Sequence, residues 1–261
     1  MRRMKDKVIV ITGASQGIGE KLAEVCYQRG ARVVLAARNA ETLGAVAKRL
    51  GDRALAVPTD VSKREDNERL RELAIEKFGQ IDVWVANAGR GISRPVSQLT
   101  EADVDDMMTV NFKSVLFAIQ AVLPHFKERS RGHLIAVSSM LGRIPFTPVR
   151  SAYSASKAAV NSLMASLRLE LRPQFSGIHA SVVLPGVVAT EFGNNALHGG
   201  PDSKSFPGAQ PVDEVATVIA DLIETPRAEV YTRPQMKEIS AKYYSAEDVS
   251  EIEAGFGGPP R

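Results

Sequence analysis

Tyr153 and Lys157 stand four residues apart in SAYSASKAAVNSL, residues 151–163. On a helix this spacing places both side chains on one face, one turn apart. An ammonium beside a phenol favours the phenolate and lowers the tyrosine pKa from its ordinary value of about 10. Such a tyrosine can pass a proton to or from the oxygen of a carbonyl/alcohol pair. The spacing alone is common, so its meaning depends on what else the chain carries.

A second candidate is TGASQGIG, in which Gly13, Gly17 and Gly19 follow the apolar run KVIVIT (7–12) and lead into a helical pattern. Small residues let backbone amides approach a ligand, and a helix start offers unpaired N–H groups to a pyrophosphate. The competing reading is a turn that only lets the helix pack on a sheet. The spacing differs from G-x-G-x-x-G, although the strand–turn–helix context is the one that fingerprint needs. After the second apolar run the chain reads Ala36, Ala37, Arg38, Asn39. Folds that prefer NAD carry an acid there; a guanidinium suits a 2′-phosphate and points to NADP(H) over NAD(H). Ser15 offers a further donor. A solvated Arg38 on the rim is the alternative.

These residues need elements to hold them. Apolar, β-branched runs at 7–12, 32–37, 53–58, 81–86, 133–138 and 178–184, with a weaker one at 228–232, read as seven strands. Helical patterns lie between them at 17–29, 40–50, 62–78, 101–128, 151–175 and 212–224, with Asn39, Ser62, Thr100 and Asp213 as cap residues. Strands apolar throughout and separated by helices predict an α/β fold: one doubly wound, Rossmann-type domain with a parallel sheet covered on both faces. Its core spans about 5–232. Residues 191–211 read as a long flexible substrate loop and 253–261 as a frayed tail.

With 261 residues, 44% of them hydrophobic, the chain can bury a sizeable core. The net charge of +3 is spread along the sequence, too diffuse for a nucleic-acid footprint. Cys26 is the single cysteine, and the four histidines show no zinc-type spacing, so no metal is expected. The N-terminus lacks a signal h-region, and no run approaches the roughly 20 apolar residues of a membrane helix. A cytoplasmic protein without membrane attachment is the expectation.

The chain as a whole resembles the short-chain dehydrogenase/reductase superfamily in its compact form. Motifs occur in the family's order over about residues 5–232: TGASQGIG; Asp60 in TDV; Asn87-Ala88-Gly89; Asn111; Ser139 heading S-x-x-G; YSASK; and Pro185, Gly186 and Thr190 in PGxxxT. The resemblance implies a catalytic tetrad of Asn111, Ser139, Tyr153 and Lys157. Tyr153 would be the general acid/base, Ser139 would orient the carbonyl oxygen, and Lys157 would bind the nicotinamide ribose and depress the Tyr153 pKa. Asn111 would hold a water in a proton relay. It implies dinucleotide contacts from Gly13, Ser15, Gly17, Ile18, Gly19, Arg38, Asp60, Val61, Asn87, Ala88, Gly89, Tyr153, Lys157, Pro185, Gly186, Val188 and Thr190. Ser138 competes with Ser139, Asn111 could serve only helix packing, Asp60 could serve only as a capping neighbour of Ser62, and Asn87 ties strands together. Thirteen residues separate Ser139 from Tyr153, one more than is usual in the family, and the extra residue falls in RIPFTPVRSA.

Pocket walls are expected from Arg90, Gly91 and Ile92; Met140, Leu141, Arg143 and Phe146; and Val187, Val188 and Phe192 with the 191–211 loop. They are mostly apolar and predict a medium-sized hydrophobic ketone, aldehyde or secondary alcohol. Arg90 and Arg143 either grip a carboxylate or phosphate or stand as rim charges. A homodimer or homotetramer is implied by the family, with Val160, Leu163, Met164 and Leu167 either on that face or in the core. The competing functions are an NAD(H)-dependent dehydrogenase of the same family and a dinucleotide-binding sensor or scaffold without turnover. Nucleotide-sugar epimerase or dehydratase chemistry belongs to longer relatives with a different glycine spacing.

Overall fold

The computed structural model describes residues 4–255. Seven parallel strands form one sheet in the order β3-β2-β1-β4-β5-β6-β7. They are β1 Val8–Thr12, β2 Arg32–Ala37, β3 Ala54–Pro58, β4 Val83–Ala86, β5 Gly132–Val137, β6 Ile178–Leu184 and β7 Glu229–Tyr231. All seven expected strands are present, with ends shifted by one or two residues. The helices are α1 Gly17–Gln28, α2 Ala40–Leu50, α3 Arg64–Phe78, α4 Glu101–Met107, α5 Ser114–Glu128, α6 Ser151–Leu171, α7 Val212–Glu224, α8 Pro234–Ser245 and α9 Val249–Glu253.

Alternate strand residues feed two cores. Ile9, Ile11, Val33 and Leu35 meet Leu22 and Cys26 of α1, Leu43 of α2 and Ile219 and Ile223 of α7. Val8, Val10, Val34 and Trp84 meet Leu70 of α3, Ile119 and Phe126 of α5, and Val160 and Met164 of α6. Each such side chain contributes about 1.5–3 kcal/mol on full burial. Neither face of a strand can therefore be polar, which is why the strands read apolar throughout. Val160, Met164 and Leu167 belong to this core and present no outward face.

Asn39 and Thr100 cap their helices: Asn39 Oδ1 accepts from the Thr42 N–H at 3.0 Å, and Thr100 forms a capping box with Asp103. The other two expected caps do not. Lys63 precedes α3 because Ser62 is held by Asp60, and Pro211 precedes α7, leaving Asp213 in its first turn. The helix expected over 101–128 is continuous but carries a π turn, Met108–Lys113, around Asn111. Its most apolar 18-residue stretch has a mean hydropathy of 1.3, a weakly apolar character that the core helix of a folded domain also reaches and that is insufficient for a membrane span. Its apolar side is spent on the sheet.

Two regions depart further from expectation. Ordered structure does not stop near 232: α8 starts with Pro234 in its first turn and brings Tyr243 onto Met140 and Ile144. The expected tail lies largely outside the described residues. The 191–211 loop has little regular structure, only the short 3-10 turn Ser203–Ser205, yet it is pinned. Leu197 bridges Ile92, the Gly193 N–H donates to Ser203 Oγ at 3.1 Å, and buried Gln210 accepts from Thr232 Oγ1 at 2.6 Å and donates to its carbonyl at 3.1 Å.

Candidate active site

β1 lies between β2 and β4, where the strand order turns back and an open parallel sheet leaves a crevice beyond its carboxyl ends. Gly13, Ser15, Gly17, Ile18 and Gly19 make the passage from β1 into α1. No side chain caps α1, so its first N–H groups are without a capping partner. A Cβ on Gly19 would lie 2.2 Å from the Gly13 carbonyl and 2.7 Å from the Asn87 amide, so this approach needs glycine. Thr190 packs over the same turn, with its Cγ2 3.3 Å from where a Cβ on Gly17 would be. Asn87 Nδ2 donates to the Thr12 carbonyl at 2.8 Å, and Thr12 Oγ1 accepts from the Asn87 and Ala88 N–H groups at 3.0 and 3.1 Å. The Asn87-Ala88-Gly89 turn is thereby fastened to β1.

Arg38 and Asp60 follow the neighbouring strands β2 and β3. Arg38 is exposed and, among the described residues, forms no hydrogen bond or ion pair. Burial pushes the Asp60 carboxyl up, but hydrogen bonds from the Ser62 hydroxyl (2.6 Å) and N–H (3.0 Å), helped by the Arg38 charge, bring it below its ordinary value. The carboxylate thus makes a local turn with Ser62 and caps no helix. The Val61 carbonyl accepts from Asn67 Nδ2 at 3.1 Å.

Tyr153 and Lys157 share one face of α6 and are 7% and 3% exposed. The Lys157 ammonium donates to the Val137 carbonyl at 2.9 Å and sits 5.7 Å from the centre of the Tyr153 ring. Burial lowers its pKa from 10.5 to about 8. Burial also dominates Tyr153, whose hydroxyl is pushed up to about 12, while a hydrogen bond with Ser139 and the Arg150 charge act the other way. The depression of the Tyr153 pKa by Lys157 expected from their spacing is not seen here: burial sets the direction, and the opposing influences come from Ser139 and Arg150. Ser139 Oγ also accepts from the Leu141 N–H at 3.1 Å, whereas the Ser138 hydroxyl turns to the Lys157 carbonyl at 3.2 Å. It is Ser139 that meets the phenol. The turn Met140–Gly142 lies directly on α6, where a Cβ on Gly142 would be 2.8 Å from the Lys157 main chain.

Asn111 is fully buried in the π turn. Its Nδ2 donates to the Arg90 carbonyl at 2.9 Å and to Ser156 Oγ at 3.2 Å, and its Oδ1 accepts from the Arg90 N–H at 2.9 Å. Both amide protons are spent on fastening the loop after β4 to α6. Gly89 passes between, with Asn111 Oδ1 and Lys157 Nζ 3.0 and 3.4 Å from where its Cβ would be.

Beyond β6, the Pro185 carbonyl accepts from the Met140 N–H at 2.8 Å, and Val188 pairs with Gln210. Met236 of α8 packs on Gly186. Phe192 meets the Tyr153 ring edge-on at 5.5 Å, and Ile92, Leu99, Leu141 and Leu197 complete an apolar cluster around it.

A sequence profile of short chain dehydrogenases matches residues 7–199. The chain belongs to the short chain dehydrogenase family. An uncharacterized oxidoreductase of Listeria innocua is 42% identical over 191 residues, which cover 72% of this family member and 77% of the relative. A short chain dehydrogenase from Burkholderia cenocepacia, solved in complex with NADP, superposes with a TM-score of 0.82 at 28% identity over 98% and 99% of the two chains. An alcohol dehydrogenase from Thermococcus sibiricus, solved with 5-hydroxy-NADP, gives a TM-score of 0.76 at 30% identity over 87% and 96%.

Two arginines of this short chain dehydrogenase behave differently from either sequence reading. Arg90 pairs with Asp106 at 3.3 Å and Arg143 with Glu229, so each has a carboxylate partner within the fold. The sequence reading overlooked Arg150, which precedes α6, and the α8 residues that cover Met140. Pro234, a favoured first residue of a helix, was the signal available for α8.

Proposed function

We propose that this chain is an NADP(H)-dependent oxidoreductase acting on a ketone or aldehyde, or on the matching secondary alcohol, with Tyr153 as general acid and base. The observation that carries it is the burial of Tyr153 beside Ser139 and one helical turn from Lys157, at the carboxyl ends of β4 and β5. The residues present fit a dinucleotide: the glycine approach at Gly19, the uncapped start of α1, and the exposed Arg38 after β2, with Ser15 in the glycine turn as a further donor, for a 2′-phosphate. When bound, that group supplies or accepts the hydride.

The chain's own part is positional and protonic. Ser139 offers its hydroxyl to the substrate oxygen and keeps it within reach of the Tyr153 phenol. Tyr153, held protonated by burial, gives its proton to that oxygen as the carbonyl is reduced and takes it back in the reverse direction. Lys157 spends one ammonium proton on Val137 and keeps two donors for ribose hydroxyls, while its charge near the ring favours the phenolate that reduction leaves behind. Asn111 sets the distance between Gly89 and α6. Its spent amide protons leave any relay water to other atoms of that turn. Phe192 keeps water off the phenol, and the surrounding side chains suit a medium-sized apolar group.

The test is a side-by-side titration with NADPH and NADH, followed by a screen of ketones and aldehydes with wild-type protein and Tyr153→Phe. Tighter NADPH binding and loss of turnover in Y153F are expected. Preference for NADH sinks the cofactor assignment, and full activity in Y153F sinks the role of Tyr153.

A further inference from the structure

Arg150 is a half-buried cation without a carboxylate partner among the described residues. Among the described residues its guanidinium makes one hydrogen bond, from Nη1 to the Ile92 carbonyl at 3.0 Å. The guanidinium borders the apolar cluster around Tyr153. A Cβ on Gly91 would be 2.8 Å from Arg150 Nη1 and 2.9 Å from Phe192 Cε1, so arginine and phenylalanine converge on the same glycine, and Phe192 in turn lies against Tyr153. On the other side Nη2 is 3.0 Å from where a Cβ on Gly200, in the 191–211 loop, would stand.

The neighbouring charges have partners. Arg90 faces Asp106, Arg143 faces Glu229, and Asp103 is shared by Arg94 and His198 at 2.8 and 2.6 Å. Holding a guanidinium partly out of water without a counter-charge is costly, and a single main-chain carbonyl satisfies one of its five N–H donors. The side chains gathered around Tyr153 and Phe192 are apolar, and the buried Ser93 hydroxyl, 2.9 Å from the same Gly200 Cβ position, is a further polar group beside Nη2.

We propose that Arg150 is the specificity-determining residue beside this apolar cluster and binds a carboxylate carried by the substrate, which is therefore an apolar carbonyl acid or the corresponding hydroxy acid. The planar fork presents its remaining donors to a carboxylate in the geometry that gives the strongest pairs. The carbonyl to be reduced then lies toward Tyr153, between the guanidinium and Ser139. This assignment rests on the hydride-transfer reading above and narrows its substrate class.

The experiment compares 2-oxo-4-phenylbutanoate with its ethyl ester in wild type, Arg150→Met and Arg150→Gln; glutamine keeps a donor for the Ile92 carbonyl. The wild type is expected to favour the acid over the ester in kcat/KM by about tenfold or more, and both variants to bring that ratio close to one. A ratio near one in the wild type, or a ratio unchanged in both variants, overturns the proposal. A purely structural role for Arg150 would lower both substrates together and leave the ratio where it was.

A second measurement needs no turnover: the thermal shift given to the purified protein by 4-phenylbutanoate against 4-phenylbutanamide. A larger shift with the acid that disappears in Arg150→Gln supports the carboxylate site, even if neither keto compound is reduced, in which case the hydride-transfer reading alone fails. Reduction of the ester with no preference for the acid, and equal shifts, leaves that reading standing and removes this one. A larger Arg150-dependent shift with phenyl phosphate than with the carboxylate overturns the carboxylate assignment in favour of a phosphate.

Discussion

The Lys157 ammonium donates to the Val137 carbonyl across 2.9 Å, at the last residue of β5. This bond holds a charge where water does not reach, and the folded protein bears the cost: the Lys157 pKa falls from 10.5 to about 8. Between those values the unfolded chain carries a proton that the folded chain has lost. Stability therefore rises with pH across that window, and the full cost is present below pH 8. Lys157→Met is expected to abolish activity yet stabilise the protein at neutral pH by about 1–3 kcal/mol. Urea denaturation of wild type and variant checks it; an earlier midpoint in the variant would mean that the Val137 bond outweighs the desolvation.

Arg38→Asp is expected to weaken NADPH binding by about 10–100-fold while leaving NADH binding equal or improved, since the lost interaction is a charge-assisted pair with one phosphate. Isothermal titration with both dinucleotides reads it. A parallel loss for both would place Arg38 away from the phosphate.

The pH profile should separate the two directions of reaction. Burial drives the Tyr153 hydroxyl up to about 12 and the Ser139 hydrogen bond draws it back. Alcohol oxidation, which needs the phenolate, should rise steadily with pH, whereas carbonyl reduction, which needs the phenol, should not. In Ser139→Ala the alkaline rise should move to still higher pH. A rise that stays in place would show that Ser139 only positions the substrate.

Acid sensitivity has a different origin. His133 is buried on β5, its Nε2 bonds Ser181 Oγ at 2.7 Å, and its Nδ1 has no hydrogen-bond partner among the described residues. Burial lowers its pKa from 6.5 to about 3. The unfolded chain takes up a proton in that interval and the folded chain does not, so stability falls as pH drops below 6.5, by up to ~1.4 kcal/mol per pH unit. His133→Gln should flatten this slope between pH 6.5 and 4, as followed by thermal denaturation. An unchanged slope would assign the acid limb to the carboxylates.

Gly19→Ala should cost more than a helix propensity change, because its Cβ would meet the Gly13 carbonyl at 2.2 Å. A loss of dinucleotide binding together with about 1–3 kcal/mol of stability is expected. Retention of both would show that the turn can widen.

Much of this was legible in the sequence, for physical reasons. The strands announce themselves because both faces of KVIVIT and RVVLAA are buried, and the glycine turn because close backbone approach tolerates nothing larger than hydrogen. What stayed hidden depends on distances between remote segments. That Arg90 and Arg143 are neutralised while Arg150 is not follows from Asp106 and Glu229, which no spacing connects to them. The π turn at Asn111 and the burial that reverses the expected shift at Tyr153 are likewise products of packing. α8 was missed because its contacts with Met140 and Gly186 draw on few apolar residues.

The reversal of strand order at β1 and β4 has a consequence for inheritance. Everything proposed to choose the electron carrier lies before residue 62, on β1 to β3, and everything proposed to choose the substrate lies after residue 89, on the other half of the sheet. A recombination point in α3 would exchange one choice without rewriting the other. Lineages built on this frame can thus change metabolic currency and appetite separately, by single crossovers.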